Sequence, residues 1–141
     1  MTFVEPFETI QQAILAELSD EGITAYDHFP IELYPIPSAY LMASDILPDY
    51  ARSDQGEVAI GRVDYSLRYF VPFDGDPLVA HRLVLEGARK VFRAVASATL
   101  ANRVQGVSVD RVSIDPVQNA SNDRPMLLLE VVLQVRPGHY S

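Results

Sequence analysis

Three histidines stand at positions 28, 81 and 139. Imidazoles that share a metal from one helix need i, i+3 or i, i+4 spacing. His28, His81 and His139 are too far apart in sequence to offer it. His81 is followed five residues on by Glu86, which falls on another helical face. Cysteine is absent, which excludes disulfides, thiolate metal sites and cysteine nucleophiles and allows a reducing compartment. The seven glycines form neither G-x-G-x-x-G nor a G-x-x-x-x-G-K-[ST] phosphate loop. The G-x-S-x-G turn of a nucleophilic serine is also missing. Asp64, Asp74 and Asp76 come nearest to a carboxylate cluster, but Asp74 and Asp76 lead into Pro77 and read first as turn and helix-cap residues. Tyr65 and Tyr69 fall on an apolar strand face and read as core rather than as a ligand platform. No catalytic, cofactor or metal residue emerges, and the expectation is a chain that is not an enzyme.

The residues with most chemical content are Arg82, Arg89 and Arg93. At 100° per residue they form one stripe with Glu86, within about sixty degrees of one another. Arginine stripes can grip phosphates, but a net charge of −8 repels nucleic acid at range, which favours a solvated or partner-facing stripe. Charge is also polarised along the chain. Residues 1–60 hold eleven acids and one base, whereas residues 61–141 hold ten bases and eight acids. The sharper reading pairs Asp45, Asp49 and Asp54 of one copy with Arg82, Arg89 and Arg93 of a neighbour. The plainer reading of ten arginines to one lysine is a GC-rich coding composition.

These side chains need elements to hold them. A first helix is predicted from Pro6 to Asp20, with Phe7, Ile10, Ile14 and Leu18 on one face and Gly22 ending it in a left-handed conformation. A short strand follows, then a passage broken by Pro30, Pro35 and Pro37. Ala39–Ala43 is a second short strand. Residues 44–57 read as a long loop, rich in Asp, Ser, Pro and Gly. Residues 57–73 alternate strictly, with Val63, Tyr65, Leu67, Tyr69, Val71 and Phe73 on one side; their length predicts a bend or bulge near Gly61. Asp76 and Pro77 start a second helix that runs to about Asn102, its apolar face made by Val84, Leu85, Ala88, Val91, Phe92 and Val95. The last two strands are 107–114 and 126–136, with a polar loop near 115–125. The expected core includes Leu85, Phe92, Tyr65, Leu67, Leu129 and Val131.

The sum is one α+β domain over residues 1–141, a mostly antiparallel sheet of four to five strands with two main helices packed on it. The 141 residues are one domain's worth of chain, and 48% hydrophobic with 21% charged residues is a globular composition. No apolar run approaches the roughly twenty residues of a membrane span, and the N-terminus has no signal-peptide core. A protein made in the cytoplasm and not bound to membrane is expected.

The chain resembles bacteriophage tail terminator, or tail-completion, proteins of the lambda gpU-like group. The likeness rests on the opening helix FETIQQAILAEL, on the strand VDYSLRYFVPF leading through a D-P turn into DPLVAHRLVLEGARKVFRAV, and on the closing strands VSVDRVSIDPV and MLLLEVVLQV. It is a likeness of element order over nearly the whole chain, not of a residue motif. It implies a structural virion protein without cofactors. Such protomers form a ring, typically a hexamer, that caps the tail tube and meets the head-side connector. DNA passes through the hole without specific binding. Two other readings stay open: another neck, head-closure or baseplate subunit, and a small-molecule-binding α+β domain with an enclosed apolar pocket.

Overall fold

Helix α1, Pro6–Asp20, has the predicted bounds, in a computed structural model that describes residues 6–28, 37–49, 59–73, 76–97, 104–118 and 125–137. Ile10, Ile14 and Leu18 are buried at i, i+4 and i+8. The helix ends as glycine dictates. Gly22 has φ of 86°, its N–H donates to Ser19 O at 2.9 Å, and Ile23 N–H donates to Leu18 O at 2.9 Å. That pair of bonds is the Schellman ending, and Leu18 and Ile23 close it within the core.

The strands are β1 (Ala25–Tyr26), β2 (Ser38–Asp49), β3 (Ala59–Pro72), β4 (Val104–Gln118) and β5 (Pro125–Pro137), with α2 (Pro77–Val95) between β3 and β4. They form one sheet in the order β1-β2-β3-β5-β4, antiparallel except for the short β1–β2 pair. The fold is α+β, as the sequence predicts. Both helices pack on the face that carries Tyr65 and Leu67 of β3 and, opposite them on β5, Leu129, Val131 and Leu133.

Three expectations change. Residues 44–49 are strand, not loop: β2 continues through Ser44, Asp45 and Pro48 as the partner of β3. The polar segment near 115–125 is shorter than expected, because β4 runs to Gln118 and β5 starts at Pro125. The second helix stops at Val95, capped at Ala96. The rest of both expected loops, 50–58 and 119–124, lies outside the described residues, as do Pro30, Pro35 and the final residues of the longer predicted helix.

The bend near Gly61 is present. Leu47 pairs with Arg62 and Pro48 with Ile60, so the register steps over Gly61. A second shift, between Ala43 and Asp45, leaves Ser44 extra on β2, and its hydroxyl donates to Asp64 O at 3.2 Å. Each shift turns later side chains to the other face.

Candidate assembly surfaces

The chemical groups do not converge. Among the described residues no three of His, Asp and Glu are placed to hold a metal ion. His28 sits beside Asp27, ring Nδ1 to Oδ1 2.9 Å, and that contact holds the Asp27 carboxyl below its usual range. His81 is exposed on α2, and His139 lies outside the described residues. Asp76 caps α2: its Oδ1 accepts from Leu78 N–H at 3.0 Å and Val79 N–H at 3.5 Å. Asp64 is committed elsewhere. It is 7% exposed on β3, where Arg62 Nη2 donates to its Oδ2 at 3.3 Å. Arg62 Nε also lies 2.9 Å from Asp64 Oδ1, close but too poorly aligned to bond. Tyr65 is fully buried and Tyr69 half-buried, so both are core.

On the sheet face away from the helices, Tyr40, Phe70 and Met126 make a second small core. Tyr26 stacks on Tyr40 with ring centres 5.7 Å apart, and Phe70 meets Tyr40 edge-on at 5.9 Å. Beside it lies a depression of about 290 Å³ lined by Tyr40, Met42, Ala43, Ser44, Ser66 and Arg68. It opens to solvent rather than enclosing a ligand. Arg68 Nε donates to Glu130 Oε2 at 3.0 Å, and Arg111 Nη2 lies 3.6 Å from Glu130 Oε1, bridging β3, β5 and β4.

The predicted apolar face of α2 holds at Val84, Ala88 and Val91, which are buried, and fails at two positions. Its buried residues are Ala80, Val84, Gly87, Ala88, Val91 and Ala94. Leu85 and Phe92, expected in the core, are 50% and 45% exposed. Part of the reason is close approach: a Cβ at Gly87 would stand 2.5 Å from Tyr69 Cε2, so at that point no side chain fits between helix and sheet, while Val84 and Val91 fill the space on either side. The large apolar residues are displaced outward. Leu78, Leu85 and Phe92 recur every seven residues, along one line beside Arg82 and Arg89.

The predicted interface residues do not all share one surface. Arg82 and Arg89 are exposed, and Arg89 Nη1 lies 3.8 Å from Glu86 Oε2 one turn away. Arg93 is turned toward α1, its Nη1 3.7 Å from Glu21 Oε2. Asp45 is exposed opposite Asp64, Asp49 is half-buried opposite Ala59, and Asp54 lies outside the described residues. Sequence reasoning missed the exposed Leu78, Leu85 and Phe92. The row of small residues at 80, 87, 88 and 94 was the signal that could have found them, since it marks the side that meets the sheet.

The outer half of β2 is the other open surface. β1 pairs with it only as far as Tyr40, and Met42, Ile46 and Leu47 are 42%, 51% and 42% exposed. Among the described residues no helix is long and apolar enough to cross a membrane.

No protein-family model matches the sequence, and no curated protein matches it. A solved structure shares the fold. A chain of the virion of a native gene transfer agent particle matches with a TM-score of 0.50 at 19% identity, over 89% of this chain and 93% of its own. A second solved structure matches with a TM-score of 0.47 at 16% identity, over 95% of this chain and 96% of its own.

Proposed function

We propose that this chain is a non-enzymatic structural protein of a phage-like virion, and within that class a tail terminator. In this reading several copies close into a ring, with six the expected number. The ring caps the tail tube, contacts the tail-tube protein on one side and the head-side connector on the other, and lets DNA pass. The observation that carries the reading is the fold shared, nearly end to end, with a chain of a gene transfer agent virion. The order of the elements supports the finer assignment. So do two different open apolar surfaces on one protomer, because a head-to-tail contact uses two surfaces and closes into a ring when the rotation permits.

The test is deletion of the gene, followed by electron microscopy of the particles released. A terminator's loss leaves tails of uncontrolled length without heads, and the wild-type protein supplied in trans restores both. Tails of normal length that lack heads would move the protein to another neck position. Normal, infectious particles would refute a virion role.

A further inference from the structure

We propose that the outer half of β2 of one copy docks on the outer side of α2 in a second copy of this chain, a head-to-tail contact between unlike surfaces. The proposal deepens the ring reading and rests on it for closure, though the contact itself is argued from the surfaces. On α2, the flank bearing Lys90 and Arg93 faces α1: Lys90 Nζ approaches Gly22, and Arg93 approaches Glu21. The opposite flank, with Leu85 and Phe92, is therefore turned toward the β4 side of the sheet. There Val109, Val112 and Ile114 pair with Leu133, Val131 and Leu129, so they share the helix-bearing face. They are 36%, 39% and 37% exposed, since neither helix covers this edge. Helix and edge strand thus leave an apolar trough, with Arg82 and Arg89 along its solvent rim.

The occupant is chosen by charge and shape together. A second trough is the wrong partner for the first, because it brings the same arginines into opposition. The outer half of β2 offers what the trough lacks: exposed Met42 and Leu47 on the face that also carries the exposed Asp45, with exposed Ile46 on the other side of the same edge. An apolar strand edge that carries an acid matches an apolar trough rimmed by arginines. Burying the apolar residues supplies the affinity, and the charges fix orientation and exclude the like-to-like pairing.

The absence of native cysteine makes a clean test possible. Leu47→Cys and Leu85→Cys are made as separate proteins; both positions are exposed, and unchanged circular dichroism and melting check the fold. Each is treated with a short bismaleimide alone and in a 1:1 mixture, at protein concentrations up to about 1 mM. The expected result is a covalent dimer in the mixture and little in either protein alone. The double variant should give a ladder that ends at a closed ring. Adding Asp45→Arg to the Leu47→Cys protein should cut the mixed product about tenfold, and Arg82→Asp with Arg89→Asp on the other protein should restore it. Efficient linkage of Leu85→Cys to itself would overturn the proposal in favour of a symmetric α2–α2 contact. No product in the mixture would overturn it outright. Product insensitive to the charge reversals would overturn the choice of occupant. None of these readouts uses a virus, so the contact can fail while the virion role stands, or hold while that role fails.

Discussion

Gly87→Ala should destabilise the protein, although the same change in an exposed helix is favourable. The added methyl would lie 2.5 Å from Cε2 and 2.7 Å from Cδ2 of Tyr69. Carbon contacts settle at about 3.5–4.0 Å, so the ring or the helix must move by about 1 Å. Tyr69 packs against the main core, and burial pushes its phenol pKa above the usual value. Replacing glycine in a helix interior gains ~0.8–1.0 kcal/mol from backbone entropy and solvation. Overpacking costs ~1–3 kcal/mol. The net expectation is a loss of ~1 kcal/mol, seen in urea denaturation as a lower midpoint with an unchanged slope. The decisive measurement is the same change in a Tyr69→Ala background. With the ring gone, the three atoms nearest the methyl are removed and Gly87→Ala should add ~1 kcal/mol, a coupling of ~1–3 kcal/mol between the two sites. If Gly87→Ala stabilised both backgrounds equally, the close approach of helix and sheet would be wrong, and with it the reason for the outward Leu85 and Phe92.

The same layering predicts that Leu129→Ala, at a fully buried position, costs ~2–5 kcal/mol in chemical denaturation, whereas Phe92→Ala, at a position 45% exposed, costs less than ~1 kcal/mol in the monomer. Asp76→Ala removes the acceptor at the start of α2 and should cost ~1 kcal/mol; Asp76→Asn should recover most of it. Burial pushes the Tyr65 phenol up to about 12, above an ordinary value near 10.0. The native state therefore holds that proton where the unfolded chain releases it, so stability is intact below pH ~10 and falls between ~10 and ~12. Tyr65→Phe should flatten that fall in urea midpoints measured across alkaline pH, and an unchanged slope would show that Tyr65 does not cause it.

What was legible in the sequence was written in local chemistry. Asp76, Pro77 and Gly22 act on residues within one turn, so the start of α2 and the end of α1 could be read directly. The alternation in β3 is equally local, and so is the irregularity at Gly61. The continuation of β2 was hidden because Ser44, Asp45 and Pro48 are turn-forming types. They stay in a strand here because β3 pairs Asp45 and Pro48 and the Ser44 bulge bonds back to Asp64 O, while on the other side β1 ends opposite Tyr40 and asks no N–H of Pro48. The face of α2 was hidden for a different reason. Large apolar residues mark a core only when space between the layers admits them, and at Gly87 the Tyr69 ring leaves no room for a side chain. The candidate site was read in part. Arg82 and Arg89 stand out on an open face as expected, but beside them Leu85 and Phe92, core residues by their spacing, are exposed.

The strand order also has a consequence in time. β2 with β3, and β4 with β5, are neighbours in both sequence and sheet, but the two pairs join only where β5 meets β3. The bond from Arg68 to Glu130 across that seam closes 62 residues of chain. During synthesis β3 is complete at Pro72, and its central partner begins only at Pro125. At roughly 5–20 residues per second, several seconds pass with a long strand that has one edge unmatched. For that interval the nascent chain carries an open template for pairing with other chains. The acids that dominate the first sixty residues are then already present, a like charge that opposes association of neighbouring nascent chains.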